Sequence, residues 1–272
     1  MAVLCRVMNV SASAYYNWLK DLVSYRERVN ASIREKIQPI FSDSRGTYGR
    51  RRLRAALKNQ GFSWSVNRVE RRMKELGIKG YTPRAFKKTT KGDPSQENSP
   101  NLLKESCNMA STVNQIWVSD ITYIATKSGW LYLCIVLDIF SRKVVGWSVS
   151  NNMKAGLVLE ALRTAFKDRK PPEGLIVHSD CGGQYKAKKV RALLRRKRCQ
   201  QSMTNAGNCY DNATAESFFG TLKTELIRGV KFENFETAKS AIFEYIEVFY
   251  NRFRLHSSLD YQSPASFEGK IA

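Results

Sequence analysis

Residues 116–149 read IWVSDITYIATKSGWLYLCIVLDIFSRKVVGWSV, and this stretch says most about the fold. It contains three runs rich in Val, Ile, Tyr and Trp, at residues 116–125, 130–140 and 143–149. Such residues favour strands, and the Ser-Gly and Ser-Arg pairs between the runs are typical of turns. The stretch therefore predicts an antiparallel meander of three strands.

Helix and strand patterns alternate after the meander. They are an amphipathic helix at 154–167, a short strand at 174–178, a basic helix at 186–198, a short strand at 201–204, and longer helices at 212–227 and 235–253. Two further strands beside a meander, with helices between them, predict an α/β fold with a mixed five-stranded sheet and flanking helices. This element order is typical of a ribonuclease-H-like fold.

The segment before the meander has a helical pattern from about residue 30 to residue 80. Apolar stripes end at Gly61 and Gly77, and Ser65 is a candidate helix cap. Three short helices with a turn between the last two predict a helix-turn-helix-like module. Its polar faces hold seven arginines: Arg50, Arg51, Arg52, Arg54, Arg68, Arg71 and Arg72. They suit a DNA backbone, and the alternative is a basic bundle that docks protein.

Composition divides the chain into three parts. Residues 82–114 are rich in Lys, Thr, Ser, Asn and Pro and show little periodicity, which is typical of a linker. We therefore predict a helical, helix-turn-helix-like module at 1–82, a linker at 83–114, and a ribonuclease-H-like core with a C-terminal helix and tail at 115–272.

The charge balance indicates a polyanionic partner. The 272 residues include 45 Lys and Arg against 24 Asp and Glu, a net charge of +21. A basic surface that serves only solubility is the alternative. No run approaches the ~20 apolar residues of a membrane span, so no membrane partner is expected. The six cysteines form no C-x-x-C pair, which predicts reduced thiols and a cytoplasmic location.

Three acids occur where metal-dependent chemistry would need them. Asp120 lies inside the first strand, Asp180 follows the end of a later strand, and Glu216 lies in the first turns of a helix. Carboxylates from different elements can converge on two divalent ions that clamp one phosphate. Taken singly, each acid is more often a cap or an ion-pair partner, but their joint occurrence favours a metal site.

Short motifs in these elements match a known family. They are WVSDITY at 117–123, DIFSR at 138–142, VGW at 145–147, HSD at 178–180, GNCYDNA at 207–213, AESFF at 215–219, YN at 250–251 with Arg254, HSSL at 256–259 and SP at 263–264. Thirty-five residues separate Asp180 from Glu216. The chain resembles, over nearly its whole length, the second-frame (OrfB) product of insertion-sequence transposases made from two overlapping reading frames. These enzymes belong to the D-D-E superfamily with the retroviral integrases.

The resemblance implies a bacterial, nucleoid-associated DNA transposase that cuts and joins the ends of an insertion sequence. Asp120 would bridge two Mg²⁺ (or Mn²⁺) ions, while Asp180 and Glu216 would each hold one. A water would cut one strand, and the freed 3′-hydroxyl would attack a second phosphodiester. The partners implied are double-stranded DNA from the element's ends and the target, and an upstream OrfA protein or fusion. Coordinated action on two ends further predicts a homo-oligomer on DNA.

Several other residues have two interpretations. Lys223, seven residues after Glu216, is either a phosphate contact or a solvated lysine. Asp138 is a fourth acid or a turn former, and His178 orients a ligand or belongs to the core. His256 contacts DNA or packs against the helix at 235–253. We expect the following aromatic residues to belong to the core, and not to stack on bases: Trp117, Trp130, Trp147, Phe218 and Phe219.

Two other functions remain open at this point. The first is an enzyme of the same fold with another substrate, such as a ribonuclease H or a junction resolvase. The second is a non-catalytic, DNA-binding regulator of transposition. A strand-transfer product excludes the first, and metal-dependent cleavage excludes the second.

Overall fold

The computed structural model describes residues 2–20, 23–81, 99–103, 110–204 and 213–271. The chain forms two compact units, Met1–Gly80 and Tyr81–Ala272. Most of the linker predicted at 83–114 lies outside the described residues. Within it, the Leu102 amide donates to the Ser202 hydroxyl at 2.9 Å, and Leu103 is fully buried. Residues 99–103 thus pack with the second unit.

The first unit is helical, as predicted. Its helices are α1 (Ala2–Val7), α2 (Ala12–Leu19), α3 (Tyr25–Asp43), α4 (Arg50–Asn59) and α5 (Val66–Glu75). Helix α3 begins five residues earlier than its apolar stripe indicated, because the Ser24 hydroxyl accepts the Glu27 amide and caps the helix there. The sequence pattern gave no sign of α1 and α2, which are short and mostly exposed.

Helices α3, α4 and α5 enclose a small core in the helix-turn-helix-like arrangement. The predicted stripes are buried at Ile33, Ile37, Leu53, Leu57, Val69 and Met73. The Ser65 hydroxyl accepts the Arg68 amide at 3.3 Å and caps α5. Gly61 and Gly77, which follow α4 and α5, have φ of +88° and +64°, a conformation that favours glycine at helix ends.

A mixed five-stranded sheet forms the centre of the second unit. Its strands are β1 (Ile116–Thr126), β2 (Gly129–Asp138), β3 (Val144–Ser150), β4 (Ile176–Ser179) and β5 (Gln200–Met203). Their order is β3-β2-β1-β4-β5. The pairs β1–β2 and β2–β3 are antiparallel, whereas β1–β4 and β4–β5 are parallel. The fold is the predicted ribonuclease-H-like α/β fold.

Helices cover both faces of this sheet. They are α6 (Ala155–Arg169), α7 (Gly183–Lys186), α8 (Lys188–Arg196), α9 (Ala213–Leu222), α10 (Phe235–Phe243) and α11 (Pro264–Ile271). One core layer joins the sheet to α6 and α8, and the other joins it to α9, α10 and the segment after α10. Gly146 lets β3 approach α6 closely, because a Cβ there would lie 2.7 Å from the Ala165 Cβ.

The helix boundaries differ from the prediction in four places. The helix predicted at 186–198 is α8, which begins at Lys188 and ends at Arg196, and the short α7 before it was not predicted. The two long helices change hydrogen-bonding pattern: α9 continues as a π-helical segment, Lys223–Ile227, and α10 as Glu244–Tyr250. The predicted tail contains α11. In the described ranges, the longest helix has 19 residues and is too polar to cross a membrane.

The aromatic residues divide into two groups. Trp117, Phe218 and Phe219 belong to the core as expected, with at most 6% of each residue exposed. The expectation is wrong for Trp130, which is 53% exposed. Trp130 is the second residue of β2, next to the β1–β2 turn, where the apolar run extends past the packed part of the sheet.

Candidate active site

Parallel pairing of β1 with β4 brings Asp120 beside Asp180. Ser119 is the register partner of Ser179, so Asp120 is the next residue of β1 and Asp180 is the first residue after β4. Neighbouring strands lie about 4.8 Å apart, and the two carboxylates therefore belong to one small region of the sheet. Asp120 Oδ1 accepts the amide of Ile121 at 2.8 Å.

A tight turn after β4 orients Asp180. The Gly182 amide donates to Asp180 Oδ1 at 3.0 Å. A Cβ on Gly182 would come within 2.9 Å of that oxygen and of Gln184 Oε1. Glycine at this position thus permits close approach of the backbone to the Asp180 carboxylate itself.

Glu216 lies in the first turn of α9. The neighbouring Ala215, together with Phe218 and Phe219, is buried against the sheet and holds this helix in place. Glu216 is exposed. The described part of the chain resumes at Ala213, after residues 205–212, so most of the GNCYDNA motif lies outside it.

The charges of Asp180 and Glu216 act on Asp120. Burial, and then these two negative charges, raise the pKa of Asp120 to about 7, against the Ile121 amide and the Lys223 charge, which lower it. Burial also raises the pKa of Asp180, against the Gly182 amide and the Lys186 charge, which lower it. Carboxylates that repel one another in a partly buried site are typical of a functional centre.

The donor set suits a hard divalent cation. Within the part of the chain that the structure describes, no three acidic, His or Cys side chains already converge on one point. The acids that influence one another nevertheless offer only carboxylate oxygens, which Mg²⁺ and Mn²⁺ prefer. A bound cation would offset the repulsion that raises the pKa of Asp120. The residues therefore fit a metal site of this kind.

A buried cluster of polar side chains surrounds Ser119, the residue before Asp120. The Tyr185 hydroxyl lies 2.9 Å from the Ser119 hydroxyl, which also donates to the Ile135 carbonyl at 2.7 Å. Burial, followed by the nearby acidic groups, raises the pKa of Tyr185 well above its usual value. Sequence analysis missed Tyr185, whose only signal was its position five residues after Asp180.

Asp138, His178 and His256 each had a functional and a structural interpretation, and the structure shows structural contacts for all three. Asp138 is fully buried and accepts the Ser141 amide at 2.8 Å and the Asn114 amide at 2.6 Å, as a turn former does. His178 is buried, and its ring nitrogens lie 2.8 Å and 3.2 Å from the hydroxyls of Ser202 and Thr204. His256 is also buried.

The ring of His256 contacts that of Tyr250 edge to face, with 4.8 Å between centroids. Tyr250 lies in the helix predicted at 235–253, so the interpretation that His256 packs against this helix is confirmed.

Lys223 lies near the carboxylates and is not fully solvated. Its ammonium is 5.4 Å from the centroid of the Tyr123 ring. Burial lowers the pKa of Lys223, and the charge of Asp120 opposes this shift. A cation at this position can contact a phosphate that lies between it and the acids.

The three consecutive arginines of the first unit have different surroundings. Arg50 pairs with Glu70 at 2.6 Å, and the Arg52 guanidinium lies 5.9 Å from the Tyr48 ring centroid. Arg51 is exposed. Both Arg50 and Arg51 thus leave part of their charge at the surface of α4, whereas Arg52 is half-buried.

Comparison with known proteins agrees with this architecture. Models described as "Integrase core domain" match residues 110–209 and 216–271, and one described as "HTH-like domain" matches residues 27–86. The fold and these matches define the class: a protein with an integrase catalytic core and an HTH-like domain.

Two relatives match almost end to end. The insertion element IS600 31 kDa protein of Shigella sonnei is 41% identical over 98% of both chains. The transposase InsF for insertion sequence IS3A of Escherichia coli (strain K12) is 39% identical over 98% of this chain and 93% of its own. The chain belongs to the IS3 family of insertion-sequence transposases.

Solved structures show a more distant similarity. The catalytic core domain of HTLV-2 integrase, in complex with magnesium, aligns with a TM-score of 0.43 and 16% identity. The alignment covers 57% of this chain and 94% of that core.

Proposed function

We propose that this transposase cuts and joins the ends of its insertion sequence by a D-D-E, two-metal mechanism with Asp120, Asp180 and Glu216 as metal ligands. The observation that carries the proposal is the parallel register of β1 and β4, which places Asp120 beside the end of β4, where Asp180 follows. The charges of Asp180 and Glu216 also help to raise the pKa of Asp120 to about 7, which supports one shared site that Mg²⁺ or Mn²⁺ would complete.

Each residue has a defined part in this chemistry. Divalent cations, when bound, would supply Lewis acidity at the reacting phosphate and stabilise charge on the attacking and leaving oxygens. The carboxylates of Asp120, on β1, and Asp180, just after the end of β4, would hold these cations at the sheet. Glu216 would complete the set from α9. Lys223 would neutralise a phosphate oxygen of the DNA backbone.

The proposal is tested with labelled duplexes that carry the ends of the element and a supercoiled target. In Mg²⁺ we expect a cleaved strand followed by a joined product, and in excess chelator neither. Full activity in chelator contradicts the metal-dependent mechanism. Cleavage that never yields a joined product favours a nuclease of the same fold. Assays with and without the upstream OrfA partner also test whether this chain needs it.

We also propose that Arg50, Arg51 and Arg52 contact DNA phosphates. Replacing all three by Ala should weaken binding to duplex DNA and reduce the salt dependence of affinity by up to about three phosphate contacts. Fluorescence titrations at several salt concentrations measure this slope. Glu70→Gln, which disrupts the Arg50 ion pair without removing a cation, is the control and should keep the wild-type slope. An unchanged slope in the triple variant reassigns this surface to protein contacts.

We further propose that the enzyme acts as a homo-oligomer on DNA. Two transposon ends must be cut in a coordinated way, which one site per monomer does not ensure, whereas a charge of +21 opposes association of the free protein. Glu216→Gln subunits mixed with Arg50–Arg52 triple-Ala subunits should recover joining activity by acting in trans. If the mixture stays inactive while wild-type protein joins ends, action in trans is wrong.

A further inference from the structure

An exposed aromatic pair lies on the β1–β2 hairpin. Trp130 is the register partner of Ala125, two residues from Tyr123, so both rings are on the same face of the hairpin. They are 53% and 44% exposed, and they meet edge to face with 5.1 Å between centroids. A large aromatic surface left exposed at a sheet end has no role in the core.

This pair is connected to the candidate active site. Strand β4 ends at Ser179, beside Ser119, so in the described ranges β1 has no partner strand on that side from Ile121 until an isolated bridge between Thr126 and Phe232. The open edge thus runs from Asp120 past Tyr123. Lys223 lies against the Tyr123 ring, and its charge acts on Asp120.

The surroundings favour a nucleic acid over an apolar partner. Lys223 comes from the helical segment after Glu216, and the exposed Arg228 and Lys231 precede Phe232, which bridges to β1. Cations beside exposed aromatic rings are the usual composition of single-strand binding sites, where phosphates meet the cations and bases stack on the rings.

We propose that Trp130 and Tyr123 form a stacking site for an unpaired DNA base near the reacting phosphate. The proposal rests on the proposed function and adds a contact to it. Tyr123 is three residues from Asp120 along β1, about 10 Å, so their side chains leave opposite faces of the sheet. Lys223 links the two around the open edge of β1, because its ammonium lies 5.4 Å from the Tyr123 ring centroid and its charge acts on Asp120. A single strand that passes over this edge would place the stacked base a few nucleotides from the phosphate that the carboxylates act on, and its recognition is independent of sequence because every base has a π-face.

The test compares Trp130→Leu with Trp130→Phe in the full-length protein. Leu keeps apolar volume but removes the ring, whereas Phe keeps a ring. The probe is a labelled 12-nucleotide oligothymidylate, titrated by fluorescence anisotropy in chelator at several salt concentrations. Trp130→Leu should lose about five- to a hundredfold in affinity with an unchanged salt slope, because a stacked base and no phosphate contact is lost. Trp130→Phe should stay within about threefold of wild type.

Matched controls make the result specific. Phe253→Leu, at another exposed aromatic of the same unit, should bind like wild type, and all variants should melt near the wild-type temperature. Equal affinities of the Leu and Phe variants overturn the proposal. So does an equal loss for oligothymidylate and a blunt duplex of the same length. If wild-type protein cleaves DNA in Mg²⁺ but Trp130→Leu binds normally, only the stacking site is wrong. If wild-type protein never cleaves, the proposed function fails whatever the binding result.

Discussion

Asp120→Asn, Asp180→Asn and Glu216→Gln are each expected to reduce cleavage and joining by at least about a thousandfold while DNA binding stays nearly unchanged. Each change removes a proposed metal ligand with little change in volume, and groups that act as one catalytic unit show losses of this size when one is removed. Gel assays of cleavage and joining, with DNA affinity measured in parallel, provide the comparison.

The control for these variants is Glu160→Gln, at an exposed acid on α6, which should keep full activity. Thermal unfolding in chelator gives a second readout. Because burial and the other acids raise the pKa of Asp120, its ionised form is unfavourable in the folded protein, and Asn removes that charge. Asp120→Asn should therefore melt no lower than wild type above pH 7. Substantial activity in any of the three variants contradicts the ligand assignment.

The second large effect is expected from a buried ion pair behind the active-site helix. Arg254 donates from Nε to Glu225 Oε2 and from Nη2 to Oε1, both at 2.8 Å, and the Tyr245 hydroxyl donates to the same carboxylate at 2.8 Å. Each charged side chain is 5% exposed. Burial lowers the pKa of Arg254, but its bonds to Glu225 outweigh this and raise it overall.

Arg254→Met should destabilise the second unit by about 3–5 kcal/mol, because it leaves Glu225 buried without its cation. Glu225 lies in the π-helical segment that continues α9, nine residues after Glu216, so we also expect lower activity. The midpoint of urea unfolding measures the first effect. The double variant Glu225→Leu/Arg254→Met should recover much of the loss, since no unpaired charge remains.

The exposed pair of Lys127 and Glu233 is the matched control. Lys127→Met should change stability by no more than about 1 kcal/mol, because water already solvates both charges. A loss for Arg254→Met no larger than that for Lys127→Met would show that the Glu225–Arg254 pair contributes little.

Local patterns were sufficient for most of the fold. Runs rich in Val, Ile, Tyr and Trp predicted the meander, and apolar stripes ending at Gly61 and Gly77 predicted α4 and α5, because strand preference, hydrophobic periodicity and end signals act within a few residues. The motifs around Asp120, Asp180 and Glu216 indicated the family for the same reason: each motif is contiguous. The π-helical segments were not predicted, since a change of hydrogen-bonding pattern within a helix has no distinct apolar period.

Sequence thus determined most of the elements, the family and the candidate acids, whereas contacts between distant segments emerged only from the folded chain. The β1–β4 register brings Asp120 beside Asp180 although 60 positions separate them, and the Asp180 charge adds to the burial that raises the pKa of Asp120. Trp130 is exposed because it lies next to the β1–β2 turn, past the packed part of the sheet. The Glu225–Arg254 pair joins residues 29 positions apart. Burial and electrostatic coupling depend on distances in space, and no local pattern of residues encodes them.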